Sequence, residues 1–345
     1  MTFRVVQWGT GAVGVEAIRG ILDHPELELV GVKVYSEEKV GIDAGALVGR
    51  EATGVTAATD GLLTRHVDCV LYAPRHPSVD EACQILASGA NMVTTAFAFH
   101  PARMQPAQRD RLLQACTGGA TSLHGTGLNP GNLGVVVPLA LSGMSRTIER
   151  LTVQERADWS AYDSVEITFD QMRFGRPLSE VSAETDGLKF TSELFQQQVW
   201  LLGDALRLDL EDVTTELELV AASADREVCG RLLRAGTVAG QRWRWSGRRA
   251  GQTVVEVETL WTVGEPQPPH WPAPQHGWTV TIEGTPSMQA HLMTLASFRR
   301  DVSLAEHVRS ASVATAMQAV NAVPAVCAAR PGFVTMAHLP LCLTR

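Results

Sequence analysis

The sequence predicts an α/β fold: a doubly wound parallel sheet, followed by an α+β domain with an open, mostly antiparallel sheet. Three observations predict it. The first thirty-five residues read strand, glycine turn, helix, strand. Strands then alternate with helices as far as about residue 130, and beyond that point strands follow strands around one long helix. The chain has 345 residues, which at about 150 per domain corresponds to two domains. Residues 1–130 with 305–345 are expected to form the first and 131–304 the second, a substrate-binding and dimerisation domain.

Phe3 to Trp8 is a short apolar run, followed at once by Gly9-Thr10-Gly11-Ala12-Val13-Gly14. Val15 to His24 reads as a helix and Leu27 to Tyr35 as the second strand, the length a βαβ unit needs. Each glycine has a physical task in that unit. Gly9 permits the tight turn, Gly11 lets the backbone approach a pyrophosphate, and Gly14 brings helix and strand together. The helix N-terminus adds free N–H groups and a partial positive charge. Gly9, Thr10, Gly11, Ala12, Val13 and Gly14 are therefore candidate dinucleotide ligands, and the first domain reads as a Rossmann domain.

The end of the second strand selects the dinucleotide. An acid there holds the ribose 2′-OH of NAD, whereas a hydroxyl and a cation accept the 2′-phosphate of NADP. Tyr35-Ser36-Glu37-Glu38-Lys39 stands at that point, and Ser36 and Lys39 favour NADP(H), with NAD(H) left open through Glu37 or Glu38.

Further along, Val67 to Ala73 is a buried strand ending at Pro74, Val79 to Ser88 a helix closed by Gly89, and Asn91 to Thr95 a strand. Pro106 to Cys116 is a helix, and Thr121 to His124 a strand that runs into Gly125-Thr126-Gly127-Leu128-Asn129-Pro130-Gly131. Ligands of doubly wound sheets bind at the carboxyl ends of the strands. That rule nominates the loops Ala73–His76, Thr95–His100 and Gly125–Gly131, and with them Ala73, Pro74, Thr95 and Asn129 as cofactor contacts. In the second domain Glu149–Ala157 and Glu166–Met172 read as strands, Glu184–Leu206 as a long helix, and Thr215–Ala222, Gly236–Trp245 and Gln252–Val263 as three more strands. The proline-rich 265–274 is a loop, Gly277–Glu283 a strand, and the Ala-rich Glu306–Ala329 a helix that returns to the first domain.

Composition excludes several classes. Hydrophobic residues make up 45% and charged residues 19%, an ordinary globular balance. Twenty-nine Lys and Arg against 37 Asp and Glu leave a net charge of −8, unsuited to nucleic acid unless cations cluster. The one basic run, Arg242 to Arg249, interleaves Trp243 and Trp245, alternates like a strand, is expected to turn at Ser246-Gly247, and reads as ordinary exposed sheet. No apolar run approaches the ~18 residues of a spanning helix. The N-terminus enters a strand without a leader, and the six cysteines (69, 83, 116, 229, 327, 342) show neither a CxxC pair nor a metal-ligand spacing. A cytoplasmic protein with reduced, mostly buried thiols and no metal is expected.

The stretches Gln7–Gly14, Lys39–Gly45, Val93-Thr94-Thr95, Gly125–Gly131 and Thr315–Pro324 together resemble the amine dehydrogenase and 2,4-diaminopentanoate dehydrogenase group, with its dihydrodipicolinate-reductase-like N-terminal domain. The resemblance implies a two-domain NAD(P)-dependent oxidoreductase, usually a homodimer, with a small-molecule substrate bound between the domains and near the partner subunit. It also implies a proton-handling glutamate shortly after the strand matching Val93–Thr95. This chain has Ala96-Phe97-Ala98-Phe99 there, and a phenylalanine neither accepts a proton nor pairs with a cation.

Other proton carriers are then needed. His100 stands at the right strand end and titrates near neutral pH, and Glu155 and Asp158 lie near the start of the second sheet. His76 and Tyr162 are weaker candidates, and Trp159, Met172, Phe174 and Trp200 line either a pocket or the core. The leading reading is an NADP-preferring reductase of a C=N bond (imine reductase or amine dehydrogenase-like) on a small apolar substrate. The alternatives are a carbonyl reductase or alcohol dehydrogenase, with His100 as acid, and a non-catalytic NADP-binding sensor.

Overall fold

The computed structural model of the chain describes residues 2–64, 66–161, 164–264, 268–272 and 275–345. It divides into two compact units, Met1–Asn132 with Arg309–Arg345, and Leu133–Val308. Tyr162 and half of the proline-rich loop lie outside the described residues.

The first unit is built on seven parallel strands. In chain order its elements are β1 (Phe3–Trp8), α1 (Ala12–Asp23), β2 (Leu27–Lys33), α2 (Ala44–Leu47), β3 (Ala57–Ala58), β4 (Cys69–Tyr72), α3 (Val79–Ala87), β5 (Asn91–Thr94), α4 (Pro106–Gly119) and β6 (Ser122–Gly125). The sheet runs β15-β6-β5-β4-β1-β2-β3, where β15 is Gly332–Phe333 near the chain's end. Strand order reverses beside β1, because β2 pairs on one side of it and β4 on the other. This is the switch point at which ligands enter such sheets. The strands are buried on both faces and so read as continuous apolar runs. Helix α7 (Leu304–Cys327) lends Ala316, Ala319, Val320 and Val323 to the core that also contains Val5, Ile18, Ile21 and Leu71. Gly20 on α1 fits closely against it, since a Cβ there would lie 2.8 Å from Met317 Sδ.

The second unit holds α5 (Val137–Ser142), β7 (Thr147–Asp158), α6 (Leu188–Ala205), β8 (Asp212–Ala221), β9 (Arg226–Val228), β10 (Arg231–Leu233), β11 (Val238–Arg249), β12 (Gln252–Thr262), β13 (Gly277–Thr285) and β14 (Met288–Leu292). Six of these strands form one sheet in the order β14-β13-β7-β12-β11-β8. All its pairings are antiparallel except β7 with β12. Helix α6 packs on the inner face, where Trp245 Nε1 donates to Ser192 Oγ (2.8 Å) and Phe195 stacks on Trp245 at 4.4 Å.

Three expectations are corrected. Glu166–Gln171 is a wide helical turn rather than a strand: Thr168 N donates to Ser164 O, and the consecutive Thr168 and Phe169 are both buried, which one face of a strand cannot provide. The chain does not turn at Ser246-Gly247. β11 runs on to Arg249 with an irregularity after Gly247, and reverses at Ala250-Gly251, both at positive φ. A Cβ at Gly247 would meet Leu210 and Val199 at 2.7 and 2.8 Å, so the glycine marks close packing. Finally, only Cys69 and Cys116 are buried; the other four cysteines are half-buried and all six are free.

The basic run is not a cationic patch. Arg242 pairs with Glu258 (2.7 Å) and Arg244 with Glu216 across the strands, while Trp243 and Trp245 are fully buried on the other face. No helix among the described residues is long and apolar enough to cross a membrane.

Candidate cofactor and active site

The glycine turn between β1 and α1 is shaped by three different constraints. Gly9 has φ +96°, and a Cβ on it would lie 2.8 Å from the Ala73 carbonyl oxygen. Gly14 has no room for a side chain, since its Cβ would fall 2.1 Å from Gly9 O. Gly11 is the opposite case: a Cβ there meets nothing within 4 Å, so its bareness keeps space open. Gly11 is also the N-cap of α1 and offers no side-chain cap, and no acid lies in the first turn. The orphan N–H groups contributed by Ala12 and Val13 thus face that space with the helix's partial positive charge. Helix α3 shows the contrast. It is capped by Ser78 and carries Asp80 and Glu81 in its first turn.

Other candidate residues of this unit converge on the same turn. The Lys39 ammonium reaches Thr10, donating to its carbonyl oxygen and to Oγ1 at 3.2 Å each. Ser36 is exposed and precedes the short turn Glu37–Lys39, without a side-chain bond to it. Ala73 N donates to Trp8 O, which ties the Ala73-Pro74 loop to the end of β1. Thr95 N donates to Tyr72 O, and Ala96 N to Thr94 Oγ1 at 3.0 Å. The Gly125–Gly131 loop closes the row: Thr126 N donates to Thr94 O, the Asn129-Pro130 peptide is cis, and Gly131 has φ +156°. A Cβ on Gly125 would lie 2.3 Å from Ala98 O, so this glycine permits the two loops to touch.

The segment that carries no acid is closely packed. Phe97, Ala98, Phe99 and His100 are all buried, and Ala98 adopts φ +60°. Phe97 lies edge-on to Tyr72, with ring centroids 6.0 Å apart. His100 precedes the turn Pro101–Arg103, and its carbonyl accepts from Arg103 N. On β6, paired with Val93 of β5, His124 is wholly buried, with Nδ1 2.7 Å from Val334 O. Burial pushes its pKa down to about 4, which keeps the ring neutral.

Two groupings were not legible in the sequence. Trp8 Nε1 donates to the Tyr35 hydroxyl (3.1 Å), while Tyr35 and Tyr72 both donate to one oxygen of Glu81 (2.8 Å each). This network joins the ends of β1, β2 and β4, and burial followed by the Glu81 carboxylate raises both tyrosine pKa values. On α7, Gln318 Oε1 accepts from Asn132 Nδ2 (3.1 Å), fixing the residue that follows the cis-proline loop.

Glu155 belongs to the second unit. It is 8% exposed on the inner face of β7, where Trp261 Nε1 donates to one carboxylate oxygen (2.8 Å) and Trp278 Nε1 to the other (3.0 Å). Asp158, at the end of the strand, accepts from Ser160 N and Gly264 N and acts in the turn. Met172 and Phe174 are core, whereas Trp159 and Trp200 are half-buried. Among the described residues, no three His, Cys, Asp or Glu side chains gather to hold a metal.

Comparison with known proteins places these features. The profile of the 2,4-diaminopentanoate dehydrogenase C-terminal domain matches residues 135–344. An amine dehydrogenase of Streptomyces virginiae is 28% identical over 353 aligned positions, spanning 97% of this chain and 96% of its own. A 2,4-diaminopentanoate dehydrogenase of Acetoanaerobium sticklandii is 21% identical, spanning 98% and 93%. The solved structure of the amine dehydrogenase from Mycobacterium smegmatis shares the fold, with a TM-score of 0.79 and 24% identity, covering all of this chain and 98% of that one.

Proposed function

Because the chain belongs to the 2,4-diaminopentanoate dehydrogenase family, we propose that it is an NAD(P)-dependent oxidoreductase acting on the CH–NH2 or C=N group of a small apolar substrate. The observation that carries this reading is the space kept open above Gly11, at an acid-free helix N-terminus and beside Lys39, a cation anchored to the turn. The shape fits a pyrophosphate, whose oxygens take hydrogen bonds from backbone N–H groups at that position.

In this reading Gly9 to Gly14 hold the pyrophosphate, while Ser36 and Lys39 receive the 2′-phosphate and set a preference for NADP(H). Ala73, Pro74, Thr95 and Asn129 line the path of the dinucleotide along the strand ends. The nicotinamide, when bound, supplies or accepts the hydride. Phe97 and Phe99 add apolar bulk to the strand end, where His100 supplies a titratable nitrogen, and Glu155 supplies a carboxylate from the second sheet. The chain works as a homodimer, a state that light scattering or analytical ultracentrifugation reads directly.

The test is a fluorescence titration with NADPH and NADH, followed by absorbance at 340 nm with a panel of primary amines and NADP+, and in reverse with imines. Saturable NADPH binding together with amine-dependent reduction of NADP+ is expected. Ketone reduction that needs no ammonia, with no turnover of any amine or imine, would overturn the assignment.

A further inference from the structure

The ends of β1, β2 and β4 carry a side-chain cluster that takes no part in the glycine turn. Trp8 pairs in register with Lys33 on β2 and with Tyr72 on β4, so the three side chains share one face of the sheet. Tyr35, two residues beyond the end of β2, is tied to them. Its hydroxyl accepts from Trp8 Nε1 and donates to Glu81 Oε2, and the Tyr72 hydroxyl donates to that same oxygen. The Lys33 ammonium lies 5.4 Å from the Trp8 ring centroid and 5.3 Å from that of Tyr35, and donates to Thr59 O. Trp8 is buried, whereas Tyr35 keeps 53% of its surface exposed although Trp8, Glu81 and Lys33 all hold it.

Two features of this cluster point to a ligand. The first is an aromatic ring pinned in one orientation and still open to solvent, a stacking surface whose ordering cost is met before anything binds. The second is the uneven use of Glu81. Both tyrosines crowd onto one carboxylate oxygen, and among the described residues Oε1 accepts no hydrogen bond. Burial and the carboxylate hold both phenols protonated, so the two donors that orient it are fixed. A dinucleotide-binding sheet receives the adenosine half of its ligand where the second strand ends. Adenine offers what ring and oxygen can take, a flat π-face and a 6-amino group with two N–H donors.

We propose that Tyr35 and Glu81 select the base of the dinucleotide: adenine stacks on the Tyr35 ring, and its 6-amino group donates to Glu81 Oε1. Glu81 is the specificity-determining residue. Tyr72 and Trp8 are positioning residues, the first for the carboxylate and the second for the Tyr35 hydroxyl, and Lys33 steadies the ring through its quadrupole. This inference rests on the dinucleotide reading of the glycine turn. It adds selection of a 6-aminopurine, which Gly9 to Gly14, Ser36 and Lys39 do not make, since in that reading they meet only phosphates.

The experiment is calorimetry on the full chain with NADP+ and with its 1,N6-ethenoadenine analogue, which keeps the aromatic face and has no N–H on the six-position nitrogen. Wild type should bind NADP+ ~10- to 100-fold more tightly than the analogue, the worth of one hydrogen bond to a carboxylate. Glu81→Ala should bring the two within ~3-fold by weakening NADP+ alone. Tyr35→Ala should weaken both ~5- to 150-fold, the range of base–aromatic stacking. Tyr35→Phe, at a position half open to solvent, keeps the ring and takes one of its two donors from the carboxylate. It should leave the analogue unchanged and cut the preference for NADP+ ~3- to 10-fold. A preference that survives Glu81→Ala is steric exclusion of the analogue's extra ring and overturns the proposal, as does Tyr35→Ala with wild-type affinities. Glu81→Ala that gains NADP+ relative to NAD+ also overturns it, because the carboxylate then faces the 2′-phosphate. Wild type that binds both dinucleotides equally removes the adenine site alone; wild type that binds neither removes the cofactor reading with it.

Discussion

Gly11→Val isolates the cofactor role of the glycine turn from its structural role. Gly11 has φ −74° and ψ −171°, an extended conformation that valine adopts readily, and its Cβ meets no atom within 4 Å. As the N-cap it contributes no side-chain hydrogen bond, so the stability change should stay within about 1 kcal/mol. Its isopropyl group, however, fills the space into which the Ala12 and Val13 N–H groups point. Each hydrogen bond to a charged oxygen is worth about 1.5–3 kcal/mol, so losing two weakens the dinucleotide by ~3–6 kcal/mol, or roughly 10²- to 10⁴-fold. The control is Gly14→Ala, whose added carbon would sit 2.1 Å from Gly9 O and must push backbone against backbone. That variant should lose both melting temperature and binding, by about 1–3 kcal/mol of overpacking or more. Nicotinamide fluorescence titration and thermal melts on both variants give the answer. Gly11→Val with affinity within threefold of wild type, or Gly14→Ala as stable as wild type, would refute the reasoning.

Lys39→Ala should weaken NADP(H) ~10- to 100-fold more than NAD(H), because only the former offers a 2′-phosphate to the ammonium; equal losses in paired titrations count against the assignment. His124 should make folding pH-dependent. Its folded pKa of about 4 lies below the unfolded value of 6.5, so its contribution is present above about 6.5 and is lost as the pH falls towards 4. That contribution is ~3 kcal/mol at about 1.4 kcal/mol per pKa unit. Urea midpoints at pH 7 and 5 should therefore converge in His124→Gln, whose amide can still donate to Val334 O. Phe97→Glu should lower the denaturation midpoint by at least ~3 kcal/mol in equivalent stability, since it removes the ring packed on Tyr72 and buries a charge.

The parallel sheet was legible because its strands are continuous apolar runs with glycine and proline between them, and because β1, the glycine turn and β2 are local in sequence. The elements that escaped are short or paired at long range. β15 is two residues joined to β6, and β9 and β10 are three residues each. Glu166–Gln171 has the alternation of a strand, but the Ser164 carbonyl and hydroxyl capture its first N–H groups. The site divides in the same way. Residues that act through the backbone, such as Gly9, Gly11 and Gly14, are written in a contiguous motif. Glu155 is held by Trp261 and Trp278, 106 and 123 residues away, and only the register of three strands brings them together. Its alternation with Leu151 and Val153 on one face was a usable signal, since a carboxylate on an apolar stripe requires partners.

The corner at Phe97, where the family resemblance implies a glutamate, is closed by packing. Ala98 stands at φ +60° with no exposed surface, where a longer side chain adds strain to crowding, and its carbonyl lies where only a glycine at position 125 fits. Phe97 occupies the edge of Tyr72, whose hydroxyl is already engaged by Glu81 and by Ser78 N. A carboxylate introduced into this corner would find its nearest hydroxyl donor spent and its neighbours apolar, so it would be driven towards the protonated form. A single Phe97→Glu exchange therefore does not install an ionised carboxylate; the surrounding packing has to change with it.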